Sequence, residues 1–150
     1  MQKNMGFRDV GMQKILVFKT SADATIQRLF SELEDGVNRN IDCLVQHSQV
    51  ISYKQKYPLI NFLDIQSERF EDLPSNIMNM ISQKQYDRIY VTLTGMYGYD
   101  FWNVIEIVSN VRFKRAFFYN CNGEKREIPR KRIIRETVCR LYIKWTGLFY

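Results

Sequence analysis

Small hydroxylic and acidic residues collect at two points of this sequence where a hydrophobic segment ends. The segment KILVFK (residues 14–19) runs into TSADAT (20–25), and IYVTL (89–93) runs into TGMYGYD (94–100). Hydroxyl groups, backbone N–H groups and helix N-termini bind anions such as phosphate. The two polar segments therefore predict a binding site for a sugar or phosphate ligand. Its candidate ligand-binding residues are Thr20, Ser21, Thr25, Thr94, Gly95, Tyr99 and Asp100.

Two further residues are candidates for proton transfer at the same place. Asp23 is the candidate catalytic residue, because a carboxylate beside hydroxyl groups can serve as a general base. Its alternative role is to cap the first turn of the helix that follows. His47 comes after the second hydrophobic segment and can act as a proton shuttle, and we count it among the ligand-binding candidates. Its alternative is an ordinary surface histidine.

The motifs of several cofactor and metal sites are missing from the sequence. Neither polar segment contains G-x-G-x-x-G or a Walker motif, which disfavours the nucleotide cofactors that those motifs bind, and we expect no cofactor. The three cysteines, Cys43, Cys121 and Cys139, are too few and too scattered for a zinc site or a disulfide framework. We therefore expect reduced thiols and no metal.

Alternating strand-like and helix-like segments determine the expected fold class. Between the hydrophobic runs, apolar residues recur at helical spacing, which predicts crossover helices and hence parallel strands. We expect an α/β fold: a three-layer Rossmann-like sandwich with a five-stranded, mainly parallel sheet of order near 3-2-1-4-5. The topological switch then lies between the first and fourth strands, where the two polar segments meet. The five predicted strands are residues 14–19, 41–45, 59–65, 88–94 and 116–119.

The last part of the chain is strongly basic. Residues 112–150 hold eleven Lys and Arg against three Asp and Glu, whereas the whole chain has a net charge of +6. A helix is predicted at about residues 130–149, with one apolar stripe. Packing of this stripe onto the sheet is the favoured interpretation, and binding to an anionic membrane surface is the alternative. The stripe consists of Ile134, Val138, Leu141, Trp145 and Leu148.

Length and composition limit the remaining possibilities. Residues 1–12 are expected to form a loose leader and residues 13–150 a single domain. A secretory signal and an apolar run of membrane-spanning length are both missing, so a cytoplasmic location is expected, with peripheral association at the inner face of the membrane as an option. Nucleic-acid binding is disfavoured, because the basic charge comes without a recognisable nucleic-acid-binding motif.

Two segments resemble the heptosyltransferase-type family of bacterial glycosyltransferases, which have the GT-B fold. ILVFKTS (residues 15–21) is similar to the opening strand and loop of that family's acceptor-side domain, and QYDRIYVTLTG (85–95) to a later strand. The likeness covers about residues 14–120. It implies an acceptor-side domain that works with a second, donor-binding domain.

The sequence departs from that family at the catalytic position. The family's Gly-Asp pair falls on Ala24 and Thr25, so that a threonine replaces the catalytic acid. The donor-binding domain would have to come from a protein partner. The expected function is therefore a binding or accessory module in polysaccharide or cell-envelope glycan assembly rather than an independent catalyst. If the chain is an enzyme, it would be a glycosyltransferase that needs a second domain; a regulatory or assembly domain without sugar chemistry is the alternative.

Overall fold

Within the part of the chain that the structure describes, the protein folds around one sheet of six strands with helices on both faces. The computed structural model describes residues 12–34, 38–70, 73–94 and 102–146. The strands are β1 (Gln13–Phe18), β2 (Arg39–Val45), β3 (Asn61–Asp64), β4 (Gln85–Thr92), β5 (Arg112–Tyr119) and β6 (Lys125–Glu127). The helices are α1 (Asp23–Glu34), α2 (Val50–Lys56), α3 (Ser75–Ser82), α4 (Trp102–Ser109) and α5 (Arg130–Thr146), and one 3-10 turn, His47–Gln49, precedes α2.

The strand order confirms the predicted fold class and adds one strand. The sheet runs β3-β2-β1-β4-β5-β6, and the first five strands are parallel to their neighbours. The predicted sheet had five strands, whereas β6 pairs antiparallel with β5 as a sixth. Its three residues are all charged and exposed, so they lack the apolar pattern that reveals a strand. The hairpin turn uses Gly123 at φ 80°, a conformation that glycine adopts without strain.

Two separate apolar clusters show why the sheet needs a helical layer on each face. One cluster joins the sheet to α1 and α2 and includes Ile26, Leu29, Phe30 and Leu33, which recur at helical spacing along α1. The other joins the opposite face to α3, α4 and the start of α5. Parallel strands bury side chains on both faces, and their continuous apolar runs reflect this. The expected three-layer Rossmann-like sandwich is confirmed.

The predicted domain limits are only partly covered by the described residues. Residues 1–11 of the expected leader lie outside them, and the single domain at 13–150 stays a prediction. Within residues 12–34, 38–70, 73–94 and 102–146, no helix has the length and apolar character needed to cross a membrane.

A buried carboxylate ties three strands together at the end of the sheet opposite the polar loops. Asp42 in β2 is almost fully buried and accepts hydrogen bonds from Tyr86 Oη at 2.7 Å and Asn61 Nδ2 at 3.0 Å. The Lys84 ammonium lies 2.8 Å from the same carboxylate. A buried charge is tolerated when it is paired and hydrogen-bonded in this way.

Removing this carboxylate should destabilise the fold strongly. We expect Asp42→Ala to lower the free energy of unfolding by about 3 kcal/mol, because the buried Tyr86 hydroxyl and Lys84 ammonium lose their acceptor. Glu127→Ala is the matched control, since Glu127 forms a half-exposed pair with Arg115 and its loss should change the stability far less. Urea denaturation measures both variants, and equal losses would contradict a structural role for Asp42.

Candidate functional site

The β1–α1 loop is hydrogen-bonded to the end of β4 at the topological switch. The Thr20 hydroxyl donates to the backbone carbonyl of Thr92, and the Thr20 N–H donates to Thr92 Oγ1 at 3.1 Å. Thr92 Oγ1 in turn donates to the Phe18 carbonyl at 2.8 Å. Two threonines thus bond to each other across the crevice between the strands. The N–H and hydroxyl hydrogens of Thr20 are engaged inside the protein.

The same loop holds a buried lysine and an acid that is bonded to a tyrosine. Lys19 is 4% exposed, and its Nζ lies 2.9 Å from the Ser21 carbonyl and 3.6 Å from Asp23 Oδ1. Tyr53 from α2 donates its hydroxyl hydrogen to Asp23. This hydrogen bond, with the positive charge of Lys19, lowers the pKa of Asp23. A lowered pKa makes the carboxylate a weaker base, so the arrangement favours orientation over proton abstraction.

The other candidate residues of this region are only partly brought together. Ser21 and Thr25 are buried, Thr25 inside the first turn of α1, whereas Thr94 is exposed just beyond β4. Gly95, Tyr99 and Asp100 lie outside the described residues. The assignment of Asp23 as a catalytic base, and of the other candidates as ligand-binding residues, therefore stays a prediction.

His47 forms a pair with an aspartate at the ends of β2 and β3. His47 Nδ1 lies 2.7 Å from Asp64 Oδ2, and Asp64 Oδ1 accepts the Gln66 N–H at 2.7 Å. The hydrogen bond and charge of Asp64 raise the pKa of His47. Burial opposes ionisation of Asp64, yet the hydrogen bonds from His47 and Gln66 outweigh it and lower the pKa of that carboxyl. The imidazole is mostly exposed, and the pair connects the two loops.

Sequence reasoning missed three partners of these residues. Tyr53, Asp64 and Thr92 carry the contacts described above, but each lies many residues from its partner. Such pairings depend on which strands are neighbours and on the exact strand ends. The predicted strand order was the available signal, because it places the ends of β1, β2, β3 and β4 at one edge of the sheet.

A second surface of the protein presents apolar side chains to solvent on α5. Ile134, Val138, Leu141 and Tyr142 are each more than half exposed, and Trp145 is 89% exposed. The favoured expectation that this stripe packs onto the sheet is wrong. The helix is held from its other side, since Ile133 is buried in the core. Leu148 lies outside the described residues.

Arginines at the start of α5 help to hold it in this orientation. The Arg130 guanidinium lies 4.5 Å from the centre of the Phe113 ring and donates to the Phe113 carbonyl. The Arg132 guanidinium lies 5.4 Å from the Phe118 ring centre. Both rings belong to β5, so the first turn of α5 is anchored to the sheet. This anchoring determines which side of the helix faces solvent.

Loss of the Thr92 hydroxyl should weaken the fold without any ligand present. We expect Thr92→Val to lower the free energy of unfolding by about 1–3 kcal/mol, because the Thr20 N–H and the Phe18 carbonyl lose a buried partner. Thr94→Val, an exposed threonine two residues further along, should change it by less than about 0.5 kcal/mol. Urea denaturation distinguishes the two variants; a neutral Thr92→Val would show that the bonds across the crevice contribute nothing.

The His47–Asp64 pair should be visible in a proton titration. Because the pKa of His47 is raised from 6.5, the contribution of this pair to the stability of the fold is complete between pH 3.8 and pH 6.5 and is lost as the pH rises through the raised pKa. It is also lost at low pH, as Asp64 becomes protonated through a pKa below 3.8. His47 is the single histidine, so its imidazole NMR signals need no assignment.

In that titration, Asp64→Asn should move the midpoint of His47 down towards 6.5. Glu124→Gln, which changes a carboxylate that contacts Asn120 on the other side of the sheet, should leave the midpoint unchanged. A midpoint at or below 6.5 in the unmodified protein would contradict the pairing.

Comparisons with known proteins show no family for this chain. No protein-family model matches the chain, and no curated protein matches it. One similar solved structure is described as a "putative sarcosine dimethylglycine methyltransferase" from Galdieria sulphuraria, with a TM-score of 0.44 and 16% identity. The match covers 78% of this chain and 42% of that one, so this chain spans less than half of its length.

These comparisons correct the expected family. The resemblance to heptosyltransferase-type glycosyltransferases is wrong, since the matching structure is described as a methyltransferase and no family model supports a glycosyltransferase. The expected role as an acceptor-side module in glycan assembly is therefore wrong as well. At a TM-score of 0.44 and 16% identity, the likeness transfers no activity to this chain.

Proposed function

We propose that this protein is a docking domain, which attaches to a larger cellular structure through the outer face of α5. The observation that carries the proposal is the set of five large apolar side chains exposed along one side of that helix. Contiguous exposed apolar surface rimmed by polar groups is typical of interaction sites, whereas scattered single residues need no explanation. In this proposal, the sheet and the other helices hold α5 so that its apolar side chains face solvent.

The hydrogen bonds of the β1–α1 loop, at the carboxyl end of β1, favour a docking function over catalysis at this loop. Thr20, Thr92 and Lys19 direct their polar groups to partners within the protein. Asp23 accepts from Tyr53, and its pKa is lowered. A ligand that used the polar groups of Thr20, Thr92 or Lys19 would have to replace these internal hydrogen bonds.

The spacing of the apolar residues explains how they act together. Ile134, Val138, Leu141 and Trp145 follow one another at intervals of four, three and four residues, and Tyr142 lies beside them. Residues three and four apart lie on one side of a helix. The exposed stripe is therefore continuous along the last three turns of α5, while Ile133, about 100° around the helix from Ile134, is buried in the core.

Cell fractionation tests the proposal directly. We expect the full chain to sediment with membranes and large assemblies, and the double variant Leu141→Ser with Trp145→Ser to remain in the supernatant. Ile51→Ser with Leu59→Ser is the matched control, because these two residues are also strongly exposed but lie in and after α2, on the other face of the sheet. The control should sediment like the unmodified protein.

Circular dichroism should show that all three proteins are folded. A chain that stays in the supernatant without any substitution, or a control that is released as fully as the α5 variant, would contradict the proposed docking function.

A further inference from the structure

We propose that the structure to which α5 docks is an anionic lipid bilayer surface, on which the helix lies parallel to the membrane plane. This inference rests on the proposed function and names its partner. A helix that exposes apolar and basic side chains on one side binds such surfaces by burying the apolar side chains among the acyl chains and placing the cations at the headgroups. Both parts of that arrangement are present on α5.

Basic residues lie on the same exposed side as the apolar stripe. Lys131 and Arg135 are exposed. Positions 131, 135, 138 and 142 follow one another at intervals of four, three and four residues, and the last two are Val138 and Tyr142 of the exposed apolar set. At this spacing the four side chains form one line along the helix. Long basic side chains keep their methylene groups against apolar surface while the charge reaches outward. The two cations are therefore placed to meet lipid phosphates when the stripe enters the bilayer.

The charge of the segment favours a lipid surface over a second copy of this chain. The sequence of α5 holds six Lys and Arg against one Glu. Two copies packed through their stripes would place Lys131 and Arg135 of both copies in the interface, and these like charges cost association energy. An anionic bilayer instead attracts each basic residue near its surface, and each contributes about fivefold in affinity.

The anchoring of α5 to the sheet fits a helix that lies flat on a membrane. With 17 residues, the helix is about 25 Å long, and its first turn is fixed to β5 by Arg130 and Ile133. The stripe starts immediately after this anchor, at Ile134, and continues to Trp145. Tryptophan is enriched at the headgroup level of membranes. One face of the molecule therefore contacts the lipid without any helix crossing the bilayer.

Vesicle flotation with the full chain tests the proposal. The probes are vesicles of phosphatidylcholine alone and of phosphatidylcholine mixed with phosphatidylglycerol. We expect binding to the anionic vesicles at least tenfold tighter than to the neutral ones, and weakened by salt. Leu141→Ser with Trp145→Ser should reduce binding at least tenfold, whereas Ile51→Ser with Leu59→Ser should leave it unchanged.

A charge-reversal pair separates the electrostatic contribution from the apolar one. Lys131→Glu with Arg135→Glu should abolish the preference for anionic vesicles. Lys54→Glu with Lys56→Glu makes the same change in net charge on exposed positions of α2 and should retain most of the preference. These surface variants leave the core intact, so the comparison stands even if the serine variants fold poorly.

Three results would overturn the proposal. They are equal binding to both vesicle types, loss of binding in the α2 variants to the same degree as in the α5 variants, and a dimer in sedimentation velocity that Leu141→Ser with Trp145→Ser dissociates. If flotation fails while cell fractionation still depends on α5, the lipid partner is wrong and the docking function stands. If both fail, the docking function is wrong as well.

Discussion

The orientation of α5 depends on how its first turn is fixed to β5. Ile133 enters the core between the sheet and its neighbouring helices, while Arg130 lies against the Phe113 ring and donates to a backbone carbonyl of the same strand. A guanidinium can satisfy an aromatic face and a carbonyl together because it is planar and carries several donors. Once this turn is fixed, the side chains of Ile134, Val138 and Leu141 face solvent and do not pack against the sheet.

The rest of the fold helps to keep the apolar stripe of α5 exposed. Of the described side chains of α5, Ile133 in the first turn is the one that is buried in the core on the α3–α4 face. The sheet is held by two apolar clusters and by the buried Asp42. At the other end, Thr20 and Thr92 close the crevice between β1 and β4. A rigid body with its loops bonded to one another can hold one helix in a constant orientation. The proposed docking function thus needs no moving part within the described residues.

Much of the fold could be predicted from the sequence. The strand order followed because continuous apolar runs separated by amphipathic helices force parallel crossovers, and the order 3-2-1-4-5 proved right. The short strand β6 could not be predicted, since its pairing comes from the Asn120–Gly123 turn and from β5, not from its own charged residues. The direction of the α5 stripe was also beyond the sequence, because an apolar stripe looks the same whether it packs onto a core or faces solvent.

The site was predicted in position more than in chemistry. Thr20, Ser21 and Asp23 do lie at the carboxyl end of β1, but their partners Thr92 and Tyr53 come from distant elements that local spacing cannot reveal. The glycosyltransferase resemblance failed for a related reason. A strand followed by Lys-Thr-Ser and a helix satisfies the general geometry of a Rossmann-like sheet, in which a short polar loop joins a buried strand to its crossover helix. Such a motif describes the fold and leaves the activity open.

The depth of α5 side chains in a bilayer shows whether the helix lies on an anionic membrane surface. Nitroxide labels placed one at a time at positions 134, 138, 141 and 145, in a background without Cys121 and Cys139, report their depth in anionic vesicles through collisions with oxygen and with a water-soluble nickel complex. A label at Ser52 on α2, which is exposed on the opposite face, provides the reference. If α5 lies on the bilayer, all four α5 labels become accessible to oxygen and protected from nickel while the label at 52 stays in water. Four α5 labels that remain as accessible to nickel as the reference would contradict it.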